Sequence, residues 1–281
     1  MNDRGFDLID VHHHYEAGYG VGEFLDVSDG RPDTRTTTET DLRTRLSIMD
    51  ADGVGAAVVI AGHTYLRPNG IADTRDVNDA VARYVALAPD RLIAGIGVVE
   101  PLYGRVGIAE VRRCRHELGL AGISFHNRFQ GAPVDSPLMT PILDAMGEEG
   151  LVPFVHAYGT PLENLTQVDS LAGRFPDVPM VVLDVFHDVN QIRALPEVAR
   201  RRPNLSFDLS LLVNFETLGL PAVRAIGADR FLFGTDQYSW PLMSTPYGCL
   251  AAGIVASDLS DPEKAMILSG NARRLLGTAV R

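Results

Sequence analysis

The chain has 281 residues, 46% hydrophobic and 22% charged, the composition of a folded globular protein able to bury a large core. A formal net charge of -11 and a pI of about 5.1 make the average surface repel phosphate backbones and anionic lipid, which argues against nucleic-acid and membrane partners. No apolar run reaches the roughly 18 residues of a membrane span, and MNDRGFDLID carries charges where a signal peptide is apolar, so a cytoplasmic protein is expected.

In chain order, eight short runs rich in Val, Ile, Leu and Phe read as strands: FDLIDV (6–11), VGAAVVIA (54–61), RLIAGIGVV (91–99), LAGISF (120–125), LVPFVH (151–156), PMVVLDVFH (179–187), NLSFDLS (204–210) and RFLFGTD (230–236). They are nearly continuous rather than alternating, which suits parallel strands covered on both faces. Between them lie stretches of helical spacing, such as Leu42, Leu46 and Met49 before Gly53, or Val77, Val81, Tyr84 and Val85 before Pro89. Eight strands each followed by a helix predict a closed (β/α)8 TIM barrel. A doubly wound sheet would carry a glycine-rich first turn, and no GxGxxG follows FDLIDV. No linker or repeat divides the chain, so residues 1–281 read as a single domain. Residues 15–38, rich in Gly, Asp and Thr, predict a long loop after the first strand, rising from the C-terminal rim over the active site.

Chemistry-bearing residues gather at predicted strand ends. Side chains alternate on a strand, so His12 and His14 of VHHHY share one face and His13 points to the other. A catalytic metal site takes three or more protein donors, and His156, His187 and Asp236 end the fifth, sixth and eighth runs. If the sheet closes, the eighth strand lies beside the first and brings Asp236 to His12 and His14. On the rim, His126, His63, Arg67, Arg128, Tyr238 and Trp240 are candidates for substrate contact; a guanidinium can hold a carboxylate bidentately, and an aromatic ring can wall a planar ligand. Cys114 and Cys249 lack CxxC spacing and read as reduced thiols.

Through IDVHHHY, LAPDRLIAGIGVV, FVHAYGT, VVLDVFH, FLFGTDQYSWP and MILSGNARRLLG, the chain resembles the amidohydrolase superfamily over nearly its whole length. The likeness is to the amidohydrolase-related branch, which includes lactone and amide hydrolases as well as ACMS-decarboxylase-like enzymes. The resemblance implies that His12, His14, His156 and Asp236 ligate a metal, that Asp236 also accepts a proton, and that His187 contacts the substrate or polarises its carbonyl. Binuclear members of the superfamily bridge two metals through a carbamylated lysine on the fourth strand. Here that strand reads GISFHNRFQG and the sole lysine is Lys264, so one divalent ion is expected, zinc first and manganese as the alternative. The compact chain and the intact HxH favour a metal-dependent hydrolase of a small cyclic ester or amide. The alternative is a nonoxidative decarboxylase of an unsaturated or aromatic acid, and a second alternative is a noncatalytic ligand-binding barrel. The expected partner is a small-molecule substrate; a homodimer through outer helices would be ordinary for a soluble enzyme of this size.

Overall fold

The computed structural model describes residues 5–15, 38–62, 69–212, 214–239, 242–243 and 247–277. His63, Arg67, Trp240 and all but the two ends of the predicted loop 15–38 lie outside the described residues. The strands are β1 (Ile9–Tyr15), β2 (Ala56–Ala61), β3 (Leu92–Val98), β4 (Gly122–Phe125), β5 (Val152–His156), β6 (Met180–Leu183), β7 (Leu205–Asp208), β8 (Phe231–Leu232), β9 (Gln237–Ser239) and β10 (Leu242–Met243). Helices alternate with them, among them α1 (Thr38–Asp52), α2 (Ile71–Ala86), α3 (Arg105–His116), α4 (Thr140–Glu149), α5 (Leu165–Arg174) and α6 (Val189–Arg201). From β1 to β8 every neighbouring pair is parallel.

The eighth barrel strand is split. Its first half, β8, pairs with β7, and its second half, β9, pairs with β1, His14 lying opposite Tyr238. Between the halves, the Val11 N–H donates to the Phe233 carbonyl at 3.0 Å. The sheet therefore closes on itself as a TIM barrel, as the strand count predicts.

Alternation sorts the strand residues into two apolar layers. Val58, Ile60, Ile96, Phe154, Val181, Leu183 and Leu232 fill the barrel interior, whereas Val59, Val98, Ile123, Val155, Val182 and Phe207 pack outward beneath the helices. On β1 the rhythm is interrupted. Ile9 and Val11 face inward, which by simple alternation would carry His13 inward and His12 and His14 out. The register against β2 shifts between Asp10 and His13, so that His13 lies opposite outward-facing Val59 and His14 opposite inward-facing Ile60. This bulge re-aims the histidine pair into the mouth of the barrel.

Two buried polar networks hold β1 in this phase. Asp10 accepts from the His12 N–H (2.9 Å), the Thr235 N–H (3.2 Å) and the Thr235 hydroxyl, and lies 3.0 Å from His13 Nε2, tying β1 to the eighth strand. From α1, the fully buried Arg45 donates to the His14 carbonyl (2.5 Å) and the Tyr84 hydroxyl (2.9 Å), while Tyr84 donates to Asp41. Breaking a buried ion pair by deleting one partner typically costs about 3–5 kcal/mol. Arg45→Leu should therefore lower the unfolding free energy by an amount in that range, read as a lower urea midpoint at unchanged m-value. A variant as stable as the parent would show that Tyr84 alone satisfies Asp41.

Candidate metal centre

Five barrel strands, β1 with its histidine pair among them, bring side chains to one buried cluster. On β5, Val152 and Phe154 face inward, so alternation carries His156 inward at the strand's C-terminal end. On β7 the same parity places Asp208 inside. At the ends of β6 and the eighth strand, Asp184 (φ 63°) and Asp236 (φ 58°) adopt left-handed backbone conformations that break the extended rhythm. Aspartate tolerates this region better than most residues, and such strain, of order 1–3 kcal/mol, persists where surrounding structure enforces it.

The donor atoms converge tightly. His12 Nε2 and His14 Nε2 are 3.0 Å apart, and Asp236 Oδ1 lies 3.4 Å from the first and 3.3 Å from the second. Metal–donor bonds of about 2.0–2.2 Å place adjacent ligands roughly 2.9–3.5 Å apart, so this triangle fits one face of a coordination sphere. His156 joins His12 and His14 in a group whose ligand atoms all lie within 4.8 Å of one another. The opposite edges of the three rings are engaged: His12 Nδ1 by Asp208 Oδ2 at 2.7 Å, His14 Nδ1 by the Ala61 carbonyl at 3.4 Å, and His156 Nδ1 by the Phe125 carbonyl at 2.9 Å. Acceptors at Nδ1 keep the proton there and turn the Nε2 lone pairs inward, the tautomer a metal requires. Asp208 is itself fixed by the Ser210 hydroxyl (2.9 Å) and the Asp184 N–H (3.1 Å). A Cβ on Gly234 would stand 2.8 Å from Asp208 Oδ2, so the glycine of GTD leaves room for that carboxylate.

The electrostatics call for positive charge. Burial disfavours a charged His12, but Asp236, Asp208 and Asp184 outweigh it and push the imidazole up to about 10. Burial and the neighbouring His12 hold His14 well below its usual range. Burial, with Asp236 beside it, raises Asp184 well above the carboxylate range, and burial pushes Asp236 up to about 6 against the pull of His12. The proton on His12 supplies one positive charge among buried acids; a divalent ion would supply two.

His126 belongs to the same neighbourhood, but its ring lies parallel to that of His156, with centroids 4.2 Å apart and planes 4° apart. An imidazole binds a cation in its own plane, and one ion cannot lie in two stacked planes. Proximity alone groups His126, His156 and Asp184 as donors, whereas ring orientation keeps His126 from sharing a cation with His156. The His12, His14 and His156 rings are mutually tilted by 64°, 70° and 26°, which permits convergence.

His187 is not brought into the cluster. The sixth strand stops at Leu183, the left-handed turn at Asp184 starts a short 3-10 turn, and His187 ends exposed, stacked on Tyr158 at 3.8 Å. Asp184 takes the buried position that the sequence reading gives to His187. Tyr238 is buried behind His14, stacked on it at 4.6 Å, and so packs against the cage instead of walling an open pocket. Arg128 does reach the mouth, its guanidinium lying between the Phe129 and Tyr158 rings at 4.4 and 4.3 Å. Asp184, Asp208 and Glu163 are site residues absent from the sequence reading. Asp208 had a signal, since it closes the inward parity of LSFD; Glu163 sits in a loop and had none.

A sequence profile described as amidohydrolase matches residues 9–278. A curated relative, 2-amino-3-carboxymuconate-6-semialdehyde decarboxylase of Dictyostelium discoideum, is 26% identical over 238 residues, which span 72% of this chain and 65% of that protein, just under two thirds of its length. The 5-carboxyvanillate decarboxylase of Sphingomonas paucimobilis superposes with a TM-score of 0.75 at 18% identity, covering 97% of this chain and 99% of that one. The 5-carboxyvanillate decarboxylase of Novosphingobium aromaticivorans, a D314N mutant solved with manganese and 3-methoxy-4-hydroxy-5-nitrobenzoic acid, superposes with a TM-score of 0.71 at 16% identity, covering 98% of each chain. These findings overturn the expected lactone or amide hydrolase in favour of its decarboxylase alternative. Compactness and an intact HxH misled because one donor cage serves both reactions. Nor does zinc have support beyond the donor set, which suits manganese as well.

Because His12 holds a proton far above neutrality and a bound cation must replace it, metal uptake should release about one proton per chain at pH 7. Affinity should rise with pH below about 10, by up to tenfold per unit. Calorimetric titration of Zn2+ or Mn2+ in buffers of different ionisation enthalpy measures this release. Uptake without proton release would place the ion away from His12.

Proposed function

Because this chain belongs to the amidohydrolase family, whose profile spans residues 9–278, we propose that it is a metal-dependent nonoxidative decarboxylase of an unsaturated or aromatic carboxylic acid. The observation that carries this reading is the triangle of His12 Nε2, His14 Nε2 and Asp236 Oδ1 at the closed mouth of the barrel, together with the decarboxylases that the chain resembles. In this proposal His12, His14, His156 and Asp236 hold one divalent ion. When bound, that ion supplies a Lewis acid that orients an acidic substrate and stabilises charge developing on it.

The chain's own residues do the rest. Asp208 and the carbonyls of Ala61 and Phe125 keep the three imidazoles in the ligating tautomer. Arg128, clamped between two rings, draws the substrate anion into a mouth otherwise rich in acids. Decarboxylation breaks the bond between the carboxylate carbon and its neighbour; CO2 leaves, and the electron pair remains on the neighbouring carbon. A proton must then reach that carbon, and Asp236, at the open end of the eighth strand, is the carrier we assign. His187 we place at the rim, where its contact with Tyr158 braces the far side of Arg128.

The test is release of CO2 from a panel of planar acids that includes 2,6-dihydroxybenzoate, 5-carboxyvanillate and 2-amino-3-carboxymuconate-6-semialdehyde. Turnover of at least one should be abolished by chelation and restored by Zn2+ or Mn2+, the better metal identifying the native one. Asp236→Asn should lower turnover by about 10² or more. Full activity after exhaustive chelation, or in Asp236→Asn, would refute the proposal.

A further inference from the structure

Arg128 presents its charge to the mouth along one edge. It belongs to the short helical turn Asn127–Gln130 that follows β4, and its guanidinium lies between the Phe129 and Tyr158 rings at 4.4 and 4.3 Å. Flanking rings leave a guanidinium its own plane, where the N–H groups point, as the approach for an anion. Part of that perimeter is engaged already. Glu163, fully buried just before α5, accepts from the Arg128 backbone N–H at 3.1 Å and sets Oε1 3.5 Å from Arg128 Nε. Among the described residues no other carboxylate pairs with this side chain, which is 23% exposed. The edge formed by Nη1 and Nη2 is the one left for a ligand. Its two parallel N–H groups match the two oxygens of a carboxylate.

Charge movement decides which carboxylate that edge can usefully hold. In decarboxylation negative charge leaves the reacting carboxylate as CO2 forms and gathers on the neighbouring carbon. A bidentate arginine pair on that group is strongest before the bond breaks and weakest at the transition state, so it would stabilise the substrate and slow the reaction. A carboxylate that does not react keeps the same charge throughout, and holding it carries no such conflict. The layout of the rim agrees. Two rings stand between Arg128 and the cage: His126 lies on His156 at 4.2 Å, Phe129 packs edge-on against His126 at 4.7 Å, and the Phe129 face meets the guanidinium. The cation is set apart from the donors that surround the reacting group.

We infer that the substrate is a dicarboxylic acid, one carboxylate reacting at the cage while the second, unreactive one is held end-on by Nη1 and Nη2 of Arg128. This deepens the decarboxylase reading and rests on it for the placement of the metal. One carbon–carbon bond breaks, CO2 leaves and a proton takes its place on the carbon. The second carboxylate passes unchanged into the product, which is itself an acid. A monocarboxylic acid leaves the Nη edge without an anion, and that difference makes the mouth selective.

The experiment measures binding by calorimetry to zinc-loaded protein, its metal content determined on the same sample. The ligands are benzoate, phthalate, isophthalate, terephthalate and the monomethyl ester of each diacid, with sorbate and trans,trans-muconate as an open-chain pair of longer reach. At least one diacid should bind about tenfold more tightly than its monoacid counterpart, and masking its second carboxylate as the ester should bring it back to within about twofold. In Arg128→Met the advantage of the diacid should shrink to about twofold or less while the monoacid keeps its affinity. Arg128→Lys, which retains the charge without the paired N–H groups, should keep only part of the advantage. An equal loss for monoacid and diacid in Arg128→Met would show that Arg128 holds the reacting carboxylate. That result, no diacid advantage in the parent, or a full advantage in Arg128→Lys would overturn the inference. If Arg128→Met does not fold, the diacid-to-ester ratio in the parent and in Arg128→Lys decides it. Failure to load metal would instead remove the decarboxylase proposal, whereas a metal-loaded, active protein without the diacid advantage would remove the dicarboxylate inference alone.

Discussion

Three carboxylates buried around one imidazole constrain the mouth of this barrel more than any apolar contact does. Asp184, Asp208 and Asp236 surround His12 at 4.0, 2.7 and 3.4 Å, and none of the three is more than slightly exposed. Buried charge is stable only when paired and hydrogen-bonded, and the local structure follows from that demand. Ser210 and the Asp184 N–H turn towards Asp208, Gly234 gives up a side chain beside it, and two aspartates adopt left-handed backbones to aim inward. The strain at those two positions is affordable because Asp carries it more easily than a β-branched residue would.

Much of the fold was legible because the relevant signals are local. Continuous apolar runs bounded by turns mark the parallel strands, and a count of eight implies closure. Strand ends were harder. VVLDVFH reads as one apolar run, yet the strand stops at Leu183, since the turn at Asp184 depends on Asp208 and Ser210, more than twenty residues away. Reading the strand too long placed His187 in the cluster, where the buried Asp184 stands, and His187 lies exposed at the rim instead. His12 and His14 were paired by an alternation argument whose phase was fixed only by the bulge in β1, a feature that requires the β2 register. For His156 strand parity suffices to place it, whereas Asp236 follows a left-handed turn and barrel closure sets it beside His12 and His14. Glu163 could not be found from sequence: its partners are 35 and 37 positions away, and glutamate in a polar loop is the most ordinary of residues.

Cage and rim form one stacked body. From His14 the rings pass to His156, then flat onto His126 and edge-on to Phe129, whose face meets the Arg128 guanidinium; beyond lie Tyr158 and His187. Planar groups in contact have few rotamers open to them, so the rim inherits its order from the cage. Phe129 and Tyr158 also raise the value of the cation they hold, because a guanidinium stacked on aromatic faces sheds little water when an anion arrives.

The split eighth strand has a consequence for how such a protein is made. Thr235 meets Asp10 across 225 positions of chain, and Asp236 meets His12 and His14 across the same seam. A chain emerging from the ribosome presents its histidine pair more than two hundred residues before the carboxylate that completes the triangle. Contacts this distant in sequence form late. Early metal capture by the nascent histidine pair would therefore be weak and readily reversed, and tight retention of the ion would report that the whole barrel has closed.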